Sequence, residues 1–474
     1  MVTELPDRVR QFIAEVQKAG FQCYAVGGSV RDVLLNRPTK TWDFATDARP
    51  EQIQAVFPDS FYDNKFGTVG VKIKDKAGEI QDIFEITTFR KEGKYSDSRH
   101  PDQVVWAGTI EEDLARRELT ISAIAMGLPV QGDALYEASG QSVVIIDPYY
   151  GRDDLKKRVV RAVGNPADRF AEDSLRMLRA IRIATQLGFT IEENTFAAIR
   201  GQAAKITGVS GERVRDEMVK ILSSDFPADG VRLLNSAGLL ESILPELTRG
   251  IGVSQKGTHH RDDVFEHSVK ALAMCRNRSW VVRLATLLHD CGKPATYREQ
   301  RGKATFYNHE VVGAHIVREI AGRWHLSREE REKLYMLVRW HMFSVSEFLT
   351  DAAVRRFIRR VGPENTTDML DLRIADRLGS GSRETSWRLE KFKERAVEVQ
   401  KHIPSVADLA VDGHDVMAVR DALRTMKACH DRRPKALIAR TLKGRGVPGL
   451  ENAPLSHIMN PKADVLDEIL GRAL

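Results

Sequence analysis

Apolar residues at Leu5, Val9, Phe12, Ile13 and Val16 fall on one side of a helix, so the chain opens with an amphipathic segment. The pattern then shortens. Cys23–Val26 reads as a strand, Gly27-Gly28 as a turn, and Ser29 as the start of a helix that carries the apolar turn Val33-Leu34-Leu35 and stops at Asn36-Arg37-Pro38. A second strand holds Asp43 and continues through Phe44-Ala45-Thr46. A short helix is predicted over 50–56 and strands over 67–73 and 80–89. Residues 113–120 open a helix carrying Ile121, Ala123, Ile124 and Met126. Turn signals at Pro129, Gly132, Gly140 and Asp147-Pro148 mark a hairpin that closes the first domain. From Gly151 onward the period is helical, with breaks over 248–256 and at Ile403-Pro404-Ser405.

This order predicts an α+β protein, a mixed sheet with helices first and all-α regions after it. At 474 residues and 53.3 kDa the chain exceeds one core, and about 100–200 residues per domain implies three or four units. The pattern breaks place them at 1–150, 151–250, 251–385 and 386–474. No apolar run reaches membrane length and residues 1–20 do not read as a signal peptide, so a cytoplasmic protein without a membrane partner is expected. Four cysteines without a CxxC pair, Cys23, Cys275, Cys291 and Cys429, argue against a disulfide framework and a structural zinc site, and read as buried thiols. A net charge of +6 is compatible with a polyanionic partner without identifying one.

The candidate chemistry is concentrated in three stretches. In the first, Gly27 and Gly28 let a phosphate approach the backbone, the helix start at Ser29 offers N–H groups, and Arg31 adds a fixed charge. Asp43 then sits where the metal of a triphosphate would be held. Residues 90–105 are polar, with glycine, proline and serine, and read as a mobile loop.

In the second stretch, residues 170–182 read as one helix on which Asp173, Arg176, Arg179 and Arg182 recur every third position and form a ridge, beside an anchoring ridge of Leu175, Leu178 and Ile181. Cytosine and adenine each present an amino donor beside a ring-nitrogen acceptor, and guanine and uracil the reverse polarity. A carboxylate beside a guanidinium therefore pairs with C or A, and each unsatisfied group on a wrong base costs about 1–3 kcal/mol. The spacing alone favours an exposed helix with local salt bridges over a base-reading ridge.

The third stretch holds His267, the pair His289-Asp290 after an apolar helix run, then His309, His315 and His341, and a late Asp376. Together they form an imidazole and carboxylate set suited to Mn²⁺, Ni²⁺, Fe or Mg²⁺ that can activate water against a phosphate ester.

The string Gly27-Gly28-Ser29-Val30-Arg31-Asp32, then Leu34-Leu35, then Asp43-Phe44-Ala45-Thr46, resembles the nucleotide-binding segment of the class II tRNA nucleotidyltransferase (CCA-adding enzyme) and poly(A) polymerase family. Glu172-Asp173 followed by Arg176 resembles that family's nucleotide-reading motif, Gly211 to Glu217 a supporting helix, and the histidine stretch the HD phosphohydrolase superfamily. The resemblance implies a nucleotidyltransferase head, a nucleotide-selecting neck, an HD domain and a helical basic tail. It implies addition of C and A to tRNA 3′ ends from CTP and ATP without a template, with Mg²⁺ at the transferase site. Asp43 and Glu85 would be its catalytic, metal-holding carboxylates, although an edge-strand glutamate facing solvent is the other reading of Glu85. Gly27, Gly28, Arg31 and Arg117 would hold the triphosphate, Asp173 and Arg176 would select the base, and Arg179 and Arg182 would line the pocket. In the HD region His267, His289, Asp290 and Asp376 would bind a divalent metal (Mg²⁺, Mn²⁺ or Ni²⁺), with His309, His315 and His341 as candidates for a second metal or a substrate phosphate.

Three positions depart from the family pattern: Thr41 replaces the first aspartate of the metal-binding pair, Glu118 replaces an aspartate, and Ser122 an asparagine. A neutral hydroxyl is a poorer Mg²⁺ ligand than a carboxylate, which implies slower or more metal-demanding transfer than with the full pair. The loop over 90–105 accompanies terminal adenosine addition in the family and tilts against addition of C alone. Addition of A only and poly(A) synthesis stay open, as does an HD phosphohydrolase whose head only binds RNA. Residues 411–417 resemble the start of a family tail module without the glycine-proline signature that follows it. Arg420, Arg424, Lys427, Arg432, Arg433, Lys435, Arg440, Lys443 and Arg445 beyond it read as a solvated face or as a contact to the tRNA elbow.

Overall fold

The computed structural model describes residues 4–39, 41–62, 67–75, 77–91, 105–129, 136–138, 141–255, 262–343, 345, 350–382 and 386–401. The opening helix is Asp7–Lys18, with Val9, Phe12, Ile13 and Val16 buried. Phe12 meets the rings of Phe44, Phe57 and Phe84 at centroid distances of 4.5, 4.8 and 5.2 Å, which fastens the helix across the sheet.

The sheet has eight strands in the order Ser60–Tyr62, Thr68–Lys74, Ile80–Thr88, Asp43–Thr46, Cys23–Val26, Ala125–Gly127, Gln141–Ile146 and Tyr136–Ala138. Asp43–Thr46 runs antiparallel to Cys23–Val26 and parallel to Ile80–Thr88, with Asp43 opposite Glu85 in register. Register partners project from the same face, so both carboxylates emerge on one side.

The helix expected from Asp113 through Met126 is corrected by the structure. It spans Ile110–Ala115, with the Thr109 hydroxyl accepting from the Glu112 N–H. Thr120–Ser122 is a single 3₁₀ turn and Ala125–Gly127 a strand. Ile121, Ala123, Ile124, Ala125 and Met126 are all fully buried, and a run buried on every side carries no period by which helix and strand can be told apart. Of the polar loop expected over 90–105, residues 92–104 lie outside the described residues, while Arg90–Lys91 and Val105–Trp106 pair as a short antiparallel ladder.

A second correction concerns residues 170–182, which form two helices. Pro166–Glu172 ends at Asp173, whose backbone is extended, and Leu175–Leu187 begins after it. The Asp173 carboxylate accepts from the Leu175 N–H at 3.0 Å, so this residue starts the second helix and does not lie within it. Arg176, Arg179 and Arg182 do share that helix, which ends at Gly188 in the left-handed region (φ +65°).

The following helices Gly211–Leu222 and Pro227–Ser236 lead into Val264–Met274 and Trp280–Leu288. Arg283, on the last of these, is buried and donates to the carbonyls of Leu222, Ser224 and Asn277 at 2.6, 2.7 and 2.7 Å, clasping two layers together. At Gly211 a Cβ would lie 1.9 Å from the Arg323 carbonyl oxygen, so only glycine lets the backbones approach this closely.

The described residues within 4–342 and 368–382 form one compact unit, and those within 343–367 together with 386–401 form a second. In the second, the helices Asp351–Val361 and Trp387–Lys401 meet around Phe343, Phe357 and Phe392, whose centroids are 4.5–5.5 Å apart. The basic stretch 420–445 lies outside the described residues. Cys23, Cys275 and Cys291 are buried free thiols, and among the described residues no helix is long and apolar enough to cross a membrane.

Candidate functional site

Gly27, in the left-handed region at φ +76°, turns the Cys23–Val26 strand into the helix Gly28–Leu34. A Cβ there would lie 3.2 Å from an Arg117 guanidinium nitrogen and 3.6 Å from Asp43 Oδ2, so the bare backbone forms the floor between a cation and an anion. Behind it, the buried Asp113 carboxylate receives Arg116 at 2.8 Å and Arg117 at 3.2 Å. Burial alone would raise the Asp113 pKa, but the two guanidinium groups outweigh it and hold the carboxyl below the usual carboxylate range. Asp43 is shifted the other way: desolvation by the cleft raises it, with Arg117 opposing.

These groups open into a cavity of about 620 Å³. All eight nucleotide-site residues expected from the sequence line it: Gly27, Gly28, Arg31, Arg117, Asp173, Arg176, Arg179 and Arg182. Asp43 lines it too, while Glu85, an exposed residue beside Asp43 in the ladder, is not among the lining residues. Nine cationic side chains against three acids (Asp43, Glu118 and Asp173) form the wall, a setting for a polyphosphate. Thr41 is exposed two residues before Asp43.

Carboxylates from other elements hold the arginine ridge in place. Glu118 pairs with Arg179 at 3.0 Å, the buried Glu217 with Arg182 at 2.9 Å, and Arg213 with Asp173 at 2.8 Å, while Arg176 pairs with Glu172. The base-selecting pair expected from the sequence is thus arranged differently, with Asp173 held by Arg213 and Arg176 by its own neighbour. Burial alone would raise the Glu118 pKa, but Arg179 holds the carboxyl below its ordinary range, so it stays an anion at neutral pH. The sequence marks Gly211 to Glu217 as a supporting helix and Glu118 as a substituted aspartate, without pairing either with a particular arginine. Sequence distance hides the individual pairings, Glu118 with Arg179, Glu217 with Arg182 and Arg213 with Asp173.

The histidine cluster is a different kind of place. His267 comes from Val264–Met274, His289 and Asp290 from the end of Trp280–Leu288, His309 from the start of His309–Arg323, His341 from the end of Arg328–Trp340, and Asp376 from Thr366–Gly379. All six are buried. His267 Nε2 lies 3.2 Å from His289 Nε2, 3.4 Å from Asp290 Oδ2 and 3.2 Å from Asp376 Oδ1. On the other side, Asp290 Oδ1 is 3.3 Å from His309 Nε2 and 3.8 Å from His341 Nε2. Asp290 therefore joins two three-residue groups whose ligand atoms lie within 4.8 Å of one another.

The donor set fits a divalent cation. His289, His309 and His341 each direct Nδ1 to the carbonyl three residues earlier, at 2.7, 2.8 and 2.7 Å, so Nδ1 carries the hydrogen and Nε2 converges on the carboxylates. Burial alone would disfavour a second proton on His289, but Asp290 and Asp376 outweigh it and push its pKa up to about 10, whereas burial and His289 depress His341 to about 3. The crowded anions thus hold a proton that a metal would displace. Lys293 Nζ is 2.6 Å from Asp290 Oδ2, a neighbour given no role in the sequence reading. His315 is exposed and is not brought into the cluster.

Comparison with known proteins places this geometry in a lineage. Residues 23–161 match the family described as "Poly A polymerase head domain", 188–251 "Probable RNA and SrmB- binding site of polymerase A", and 264–380 "HD domain". The chain is 36% identical over 326 residues to the A-adding tRNA nucleotidyltransferase of Deinococcus radiodurans, covering 65% of this chain and 70% of that protein. The chain belongs to the tRNA nucleotidyltransferase and poly(A) polymerase family. Within it, the chain is 39% identical over 246 residues to the CCA-adding enzyme of Geobacillus thermodenitrificans, spanning 52% of this chain and about half (54%) of that relative. The crystal structure of the Bacillus stearothermophilus CCA-adding enzyme in complex with CTP superposes with a TM-score of 0.60 at 26% identity, covering 90% of this chain and 88% of that one. The expected α+β architecture agrees with that fold. Transferase heads and HD domains of these families are generally dependent on divalent metals.

Proposed function

We propose that the chain is a tRNA 3′-end nucleotidyltransferase that takes C and A from CTP and ATP, with an HD domain that hydrolyses phosphate esters. The observation that carries the first part is the single cavity lined by the glycine turn, Asp43 and the arginine ridge together. The glycine turn, Arg31 and Arg117 would receive the triphosphate, and the ridge would read the base edge against Asp173 and Arg176 without a nucleic-acid template. Asp43 and Glu85, in register on one face, would hold a Mg²⁺ ion, which when bound stabilises the attacking and leaving oxygens of the transfer. Thr41 stands in the chain where the family has the other carboxylate of the pair, and would offer a neutral oxygen at most. Incubating the protein with tRNA lacking its 3′ end and with CTP alone, ATP alone or both tests the reading, and absence of extension at every Mg²⁺ concentration defeats it.

A second reading, addition of A only, is favoured by the longer stretch matched by the deinococcal A-adding relative than by the Geobacillus CCA-adding one, 326 residues against 246. Incorporation of ATP onto tRNA already ending in CC, with no use of CTP on tRNA lacking both, would select it. In the HD domain, His267, His289, Asp290 and Asp376 would hold Mg²⁺, Mn²⁺ or Ni²⁺, with His309 and His341 completing a second position through Asp290. A metal bound there supplies a water nucleophile at neutral pH. Hydrolysis of a phosphomonoester would release inorganic phosphate and an alcohol, and hydrolysis of a cyclic phosphodiester would break one P–O bond to leave a phosphomonoester beside a free hydroxyl. Hydrolysis that requires added metal and is abolished by chelation tests this part.

A further inference from the structure

Between the two halves of the histidine cluster the chain leaves the helix Lys293–Thr296, turns outward as a hairpin of Arg298–Gln300 paired with Lys303–Thr305, and returns at His309. Its loop is Arg301-Gly302, with φ +52° and +73°, a two-residue turn whose twist matches the strands. The base of the hairpin is tied to the cluster through Phe306. Its carbonyl accepts from His309 Nδ1 at 2.8 Å, and its ring lies 5.4 Å from the Lys293 ammonium and 5.8 Å from the Tyr297 ring. The other side of the hairpin is open. Tyr307 is 71% exposed and Tyr297 41%, and Arg298, Arg301 and Lys303 are exposed against one acid, Glu299. A small phosphate ester has no use for such a surface. Exposed aromatic rings among cations, on an element held in one shape, are what unpaired bases and their phosphodiester backbone require.

We propose that this hairpin is a stacking platform for the unpaired 3′-terminal nucleotides of an RNA strand. Tyr307 and Tyr297 take bases, Arg298, Arg301 and Lys303 take the backbone, and the terminal phosphate is led toward the histidine cluster. The purpose of the platform rests on the hydrolytic reading of that cluster; its capacity to bind RNA does not.

Two measurements on the full chain test it. In the first, an oligoribonucleotide with 4-thiouridine at its 3′ end is photocrosslinked and the linked peptide mapped. The expected site lies within 297–307, with yield falling about tenfold in Tyr307→Ala and kept in Tyr307→Phe. In the second, the Mn²⁺-loaded protein is given the same oligonucleotide ending in a 2′,3′-cyclic phosphate, or bis(p-nitrophenyl) phosphate. Tyr307→Ala should raise KM for the oligonucleotide about tenfold and leave the small ester unchanged. Crosslinks confined to other segments, an unaffected oligonucleotide, or equal losses on both substrates overturn the platform. If neither substrate is hydrolysed while the crosslink maps to the hairpin, the hydrolytic reading falls and the platform stands. Hydrolysis of the small ester with no crosslink in the hairpin is the reverse result.

Discussion

The arginine-lined cleft and the histidine cluster answer opposite electrostatic problems. The cleft is an open wall of cations in which Glu118 and Asp173 steady arginines and Asp43 is the remaining lining acid, with the neutral Thr41 two residues before it in the chain. The cluster is built from buried side chains, with four imidazoles and two carboxylates crowded so that His289 is pushed toward its protonated form. Each site offers two candidate carboxylates, but only in the cluster do imidazole nitrogens converge with them. The difference predicts that metal supply limits the first and metal removal disables the second.

The sharpest break between them comes from Asp43→Asn, which should lower nucleotide incorporation by about 10³-fold or more while phosphate-ester hydrolysis is unchanged. In the opposite direction, Asp290→Asn removes the group shared by both halves of the cluster. Hydrolysis should fall more than about 100-fold, with loss of bound metal by elemental analysis and incorporation intact. A change in both activities for either variant would mean that the two sites are not independent. Next in size is Glu118→Gln, which releases Arg179 from its anion. Discrimination of CTP and ATP against UTP and GTP should weaken about tenfold, read as ratios of kcat/KM. Thr41→Asp should then raise the rate at limiting Mg²⁺ several-fold, about 3–10 times, and shift the Mg²⁺ requirement downward. A variant no faster than the parent at any Mg²⁺ concentration would show that the alcohol is not the weakness.

The smallest expected effect is on stability. Asp113 has its folded pKa held below the ordinary value, so its contribution is present at neutral pH and is lost as pH falls through the depressed folded value. Asp113→Asn should flatten the acid side of a plot of melting temperature against pH, by about 2–4 °C.

Much of the cleft was legible because its residues lie in short strings with local physics, such as a glycine pair before a helix start or arginines three apart. What was not legible depends on tertiary partners. Nothing local says that Glu118 meets Arg179, 61 residues away, or that Arg213 reaches Asp173, 40 residues away. The break at Asp173 was hidden because a side chain that accepts the N–H two residues on looks, in spacing alone, like any acid on a helix. By contrast, the exclusion of His315 could have been read. His309 and His315 share a helix six residues apart, about 240° around its axis, so they cannot both point inward.

Gly211 has a consequence for traffic. The backbone at that residue is pressed against the Arg323 carbonyl, and at the far end of the same helix Arg283 grips the carbonyls of Leu222, Ser224 and Asn277, so the helix is held at both ends. On the proposed function, a transcript whose end is trimmed in one chamber and extended in the other must let go and dock again. The cargo changes berth while the scaffold stays put.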